Sequence, residues 1–122
     1  MYHRVDDVTV KSVSYNKKPV ATAAVTTTVK DMIAALVDEI EDMSCRNAAS
    51  ADEVYQIGLT PTVSRLLTAK KRLRQIHDFS LRKRHMDEYS ITIEVTVRLP
   101  LQPGSSFADR YSYDIVLEIE FR

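Results

Sequence analysis

The sequence predicts an α+β fold: a four-stranded, mostly antiparallel sheet made of two hairpins, with two to three helices packed on one face. Three observations predict it. A long alternation of apolar and polar residues fills the C-terminal third, and a weaker one opens the chain. Between them the apolar period lengthens from two residues to about 3.6. The expected order is β-β-α-α-β-β in a single domain, 1–122, with an N-terminal hairpin over 8–27, a helical region over 29–86 and a C-terminal hairpin over 89–122.

The first strand shows in Val8 and Val10, which alternate with Thr9 and Lys11. The phase slips at Ser12 before Val13 and Tyr15 resume it, as a β-bulge requires. Asn16-Lys17-Lys18-Pro19 reads as a turn, and Val20 to Thr27, rich in Thr and Val, as a second strand. The small side chains of Ala21, Ala23 and Ala24 predict another element close by. The first helix then presents one stripe, Val29, Met32, Ile33, Leu36, Val37, Ile40 and Met43, with acids opposite. Thr28 and Asp31 resemble a capping box at its start. Ser50 and Glu53 resemble a second box, opening a short helical turn that Gly58 can close. Thr60-Pro61 starts the last helix, expected to run to about Phe79 and to bury Val63, Leu66, Leu67, Leu73 and Ile76.

The C-terminal hairpin is the clearest element. Tyr89, Ile91, Ile93, Val95, Val97, Leu99 and Leu101 alternate with Ser90, Thr92, Glu94, Thr96 and Arg98; Tyr111, Tyr113, Ile115, Leu117, Ile119 and Phe121 alternate with Ser112, Asp114, Glu118, Glu120 and Arg122. Each strand should have one buried and one wet face, with Val116 the lone apolar residue on the wet side. Pro103-Gly104-Ser105-Ser106 supplies turn chemistry between them.

Composition narrows the function classes. With 44% apolar and 28% charged residues the chain falls in the globular range, and no apolar run approaches the ~20 residues of a spanning helix. Met1-Tyr2-His3-Arg4-Val5-Asp6-Asp7 lacks the apolar core of a signal peptide. Cys45 is the single cysteine, so no internal disulfide can form. A cytoplasmic location, or one within an assembled particle, is the expectation, with neither secretion nor a membrane.

No catalytic or cofactor chemistry is expected. Gly58 and Gly104 are the only glycines and lie far apart, which excludes a P-loop and a dinucleotide fingerprint. A nucleophile elbow is absent as well. His3, His77 and His85 form no metal-ligand motif, and His85 with Asp87 and Glu88 reads as a solvated turn. Acids around Cys45 discourage a thiolate. Asp38, Glu39, Glu41 and Asp42 read as a solvated helix face, since carboxylates doing acid–base work need at least one buried member.

The charge layout is the one feature above background. Residues 1–61 carry 6 basic and 9 acidic side chains, a net of −3; residues 62–86 carry 8 and 1, a net of +7; residues 87–122 carry 3 and 7, a net of −4. The candidate charged interaction surface is Arg65, Lys70, Lys71, Arg72, Arg74, Arg82, Lys83 and Arg84. The candidate acidic counter-surface is Asp38, Glu41 and Asp42. Separated charges of this kind suit subunits that match one another. The leading expectation is therefore a non-enzymatic structural or interaction protein that assembles with itself or with other subunits, a character shared by small virion and tail-assembly components. The alternative is a small nucleic-acid-binding protein or regulator using residues 65–84. Against that stand a pI near 6.8 and a lone Phe79 where stacking would need several aromatics.

Overall fold

Six strands form one antiparallel sheet in the computed structural model, which describes residues 2–101 and 111–122. The strands are β1 (Tyr2–Tyr15), β2 (Lys18–Pro19), β3 (Ser44–Ala48), β4 (Asp78–Met86), β5 (Ser90–Arg98) and β6 (Ser112–Phe121). Their order is β2-β1-β6-β5-β4, with β3 paired to the first residues of β1. The last strand in sequence thus sits mid-sheet, between the first strand and β5. The turn expected at Pro103-Gly104-Ser105-Ser106 lies outside the described residues.

The expected two-hairpin sheet of four strands is corrected in three places. Val20 to Thr27 is not a strand. β2 stops at Pro19, which cannot donate onward, and a 3₁₀ turn over Thr22–Ala24 leads to α1 (Thr27–Glu41). Ala21, Ala23 and Ala24 are exposed rather than packed against a neighbour. The β1–β2 turn is only Asn16-Lys17, both with positive φ (49° and 70°), as a tight two-residue hairpin demands. Ser44–Ala48 is a strand the periodicity did not announce. The last helix ends at Arg72, and the segment beyond it returns as β4.

The helical region is one run from Ala51 to Arg72. α2 (Ala51–Glu53) is capped by Ser50, whose Oγ accepts from the Glu53 N–H at 3.2 Å, while Glu53 accepts from the Ala49 N–H at 2.9 Å. The expected box at Ser50 is therefore present in slightly shifted form. At α1, by contrast, the N-cap is Thr26 and makes no side-chain cap bond, so Thr28 and Asp31 form no box. Gly58 does not close the turn. It lies within a π-helical segment (Val54–Leu59), where an added Cβ would meet Met43 Cε at 3.3 Å. The Thr60 N–H donates to Tyr55 O, five residues back, and the chain continues into α3 (Thr60–Arg72) with Pro61 in its first turn. A widened turn just ahead of a proline accommodates a residue that cannot donate within the helix.

α3 stops without glycine or proline. Arg74 takes φ 61°, its N–H donating to Lys71 O and that of Gln75 to Lys70 O, both at 3.0 Å. This is a Schellman ending with arginine where glycine is usual. Leu73, expected in the core, is consequently 65% exposed, while Ile76 is buried beyond the helix end.

One core joins sheet and helices. Ile91, Ile93, Val95, Val97, Ile115, Leu117 and Ile119 are all fully buried, as the alternation predicted, whereas Tyr89, which opens it, is 55% exposed. Val29, Met32, Leu36 and Ile40 of α1 and Val54, Leu59, Val63 and Leu67 of the second helical run cover them. The phase slip at Ser12 is a register shift between Val10 and Ser12, so Val10 opposes Leu117 and Val13 opposes Ile115 on the same buried face. No helix among the described residues is long and apolar enough to cross a membrane.

The outer face of β6 is not wet as expected: Val116 is buried on it, and so is one tightly held polar group. Asp114 of β6 is 6% exposed; Thr96 donates to it at 2.6 Å and Lys17 pairs with it at 3.1 Å. Burial pushes this carboxyl up, but the Thr96 hydroxyl and the Lys17 ammonium outweigh it and hold it below the usual carboxylate range. The folded state thus binds this proton more weakly than the unfolded chain does. Its contribution to stability should be complete above the unfolded pKa of about 3.9 and vanish as pH falls through the lower folded value. Asp114→Asn should flatten acid melting over that interval in urea titrations at a series of pH values. An identical pH profile for variant and wild type would refute the assignment.

Candidate charged interaction surface

The eight cations divide between two elements. Arg65, Lys70, Lys71 and Arg72 lie on α3 and Arg74 just past its end; Arg82, Lys83 and Arg84 lie on the edge strand β4. Arg65, Lys71, Arg72 and Arg74 are exposed and Lys70 is half-buried. None of these five has an ion-pair partner among the described residues.

The β4 cations are paired within the chain, three of them to two carboxylates. Register sets Arg82 opposite Glu94, and the register shift between Lys83 and His85 leaves Arg84 on the same side. Glu94 accordingly takes both, Arg82 at 2.9 Å and Arg84 at 3.7 Å. Lys83 points to the helical side, where it pairs with Asp52 at 3.2 Å and stands over the Tyr55 ring at 5.3 Å. Glu94, Asp52 and Tyr55 were not among the residues singled out from sequence. Glu94 carried the signal of a wet-face acid in a strand, but its partner strand could not be read. The expected single basic surface is therefore cut: its second half is a charge-paired sheet edge, also guarded by a bulge.

The acidic counter-surface lies on α1 and its end. Asp38, Glu41 and Asp42 are exposed and make no ion pair among the described residues. They do not meet the α3 cations within this chain.

Three further features border these surfaces. Lys71, Arg74 and His77 open onto a cavity of about 380 Å³ with Ile76 and Pro100. A second cavity of about 330 Å³ lies between β1 and α1, lined by Val10, Lys30, Ile33, Ala34, Val37 and Asp38 and, from the 3₁₀ turn, by Thr22. At the end of the sheet where β5 leaves and β6 enters, Tyr15 stacks on Tyr111 at 5.9 Å and leans on Tyr113 at 4.8 Å. Burial pushes the Tyr15 hydroxyl's pKa up, and the two neighbouring phenols add to it.

Cys45 is 1% exposed on β3, and burial pushes its thiol up, away from a reactive thiolate. His85 lies 4.0 Å from Asp87, whose carboxyl is held low first by the Tyr89 N–H and then by Ser90. That arrangement is an ordinary Asx-type turn before β5. Among the described residues no three His, Cys, Asp or Glu side chains come together as metal ligands. Compared with family models, with curated proteins and with solved structures, the chain matches none.

Proposed function

We propose that this chain is a non-enzymatic interaction protein that assembles with copies of itself or with other subunits through charge-matched surfaces. A component of a virion or tail is one form such a role takes. The observation that carries the reading is selective pairing. The chain pairs its β4 cations with its own Glu94 and Asp52, yet Arg65, Lys70, Lys71, Arg72 and Arg74, on and just past α3, and Asp38, Glu41 and Asp42, on and just past α1, make no ion pair among the described residues. Unpaired patches of opposite sign on one molecule attract a second molecule at long range, and salt screens that attraction.

Reversing Lys71 and Arg74 to glutamate tests this. Both are exposed, and Arg74→Glu keeps a non-glycine residue at the same φ, so the fold should persist. The oligomer mass in sedimentation should fall for the double variant, and the wild-type mass should fall as salt rises. An unchanged mass at low and high salt would remove the charge-matched interface. The same five unpaired cations also support the second reading, binding of a nucleic-acid backbone. There the double variant would keep its mass but lose retention of DNA or RNA, and wild-type binding would weaken steeply with salt.

A further inference from the structure

β1 is paired along one side and only at its ends along the other. β6 follows it from Val5 to Tyr15. On the far side, β2 holds Ser14 and Tyr15, and the Val20 N–H donates to Val13 O at 3.0 Å. At the opposite end Arg4 accepts from the Arg122 N–H on the β6 side while pairing with Ser44, so β3 lies on the same far side as β2. Between these two short strands, from Val5 to Ser12, the far edge of β1 has no strand partner among the described residues. The gap is roughly 26 Å long at the ~3.3 Å rise of a strand. About half its backbone N–H and C=O groups point outward, as on any free edge.

This edge has a built wall beside it. The cavity of about 330 Å³ runs between β1 and α1, with Val10 on the strand and Ile33, Ala34 and Val37 on the helix. Ala34 is exposed, although small and apolar, and Val37 is only half-buried. Along α1 the same stripe continues at helical spacing: Lys30, Ala34, Val37, Asp38, Glu41. A strand laid against β1 would set alternate side chains over Ala34 and Val37, and one of its ends beside Asp38 and Glu41.

We infer that this slot accepts one added strand from a partner protein, a short extended segment with apolar residues at alternate positions and a cationic end that meets Asp38, Glu41 and Asp42. A second copy does not fit. β1 is 14 residues long and would overrun β2 or β3 in any antiparallel register with itself. β4, with 9 residues and β5 behind it, is also longer than the gap. Strand addition supplies affinity through main-chain hydrogen bonds and specificity through the alternate side chains. The inference goes beyond the charge-matched assembly; it shares the acids Asp38, Glu41 and Asp42 with that reading but not its cations, so reversing Lys71 and Arg74 should leave peptide binding intact while lowering oligomer mass.

A displayed library of random heptapeptides, panned on the intact chain, tests it. Enriched peptides should alternate apolar and polar residues and carry lysine or arginine at one end. Their binding, read by fluorescence anisotropy, should weaken at least about tenfold in Ala34→Trp, which fills the slot from an exposed position. Hydrogen exchange should slow at the outward amides of Val5–Ser12 when the peptide is bound. No enrichment would overturn the inference. So would peptides that bind Ala34→Trp equally, peptides that leave those amides unprotected, or selection of sequences matching β4, which would mark a second copy as the occupant.

Discussion

Val95→Asp should leave the chain mostly unfolded at neutral pH. Val95 is fully buried in β5, with Ile115 of β6 on one side and Leu81 of β4 on the other. A carboxylate there would have no hydrogen-bond donor and no cation, and an unpaired buried charge costs several kcal/mol. Total stability of a domain this size is only about 5–15 kcal/mol, so a large fraction would be lost. The penalty is smaller for the protonated acid, whose folded pKa must rise above the unfolded value of about 3.9. The sign follows: the variant should recover part of its stability below that pH and lose it as pH rises through the raised folded value. Urea melts at neutral and acid pH measure both effects. An unchanged midpoint at neutral pH would mean that the buried face of β5 is misassigned.

Leu36→Ala should cost about 2–5 kcal/mol, the range for a leucine whose removal leaves a cavity. Leu36 is fully buried on α1, in the stripe that covers the sheet. Its loss removes contacts on a face with no solvent to refill it, whereas Leu36→Met keeps most of the volume and should cost less than about 1.5 kcal/mol. Thermal melts of the two variants make the comparison. Equal melting temperatures for both would show that the residue is not packed as described.

These two residues come from parts of the fold that were legible in the sequence, and the reason is common to both. A face that is buried along its whole length imposes a period, two for β5 and β6 and about 3.6 for α1. Even the bulge at Ser12 left its mark as a slip in the valine phase. β4 left none. It is an edge strand wet on most of its length, so Arg82-Lys83-Arg84-His85 shows charge in place of alternation, with Phe79, Leu81 and, past the bulge, Met86 packed against the core. Val20 to Thr27 erred the other way. Thr and Val favour strands, but the preference is realised only where a ladder continues, and after the Val20 N–H none of the described residues extends this one; Val25 is buried from irregular backbone instead. The end of α3 was hidden because its stop is made by backbone hydrogen bonds around Arg74, with no glycine to announce it.

The candidate site was half legible. Which residues are charged is plain in the sequence, but whether a charge is free depends on pairings across strands. Arg82, Arg84 and Lys83 lose their independence to Glu94 and Asp52, partners fixed by the β4–β5 register and by the packing of α2. The slot beside β1 was not legible at all. It is made by the shortness of β2 and β3, and a missing strand has no residues to show a pattern.

The central place of β6 has a consequence for how the chain comes off the ribosome. Val13 pairs with Ile115, and nearly the whole chain lies between them. Until Ser112–Phe121 has emerged, β1 has only β2 and β3 beside it, and β5 only β4. The valine and isoleucine rows of two half-sheets then wait uncovered at the seam they will share. Such distant pairings fold slowly because the connecting loop must close before any contact rewards it. Open rows of this kind are where nascent chains stick to one another or call on a chaperone. The strand that completes the core is the last of the sheet to be made.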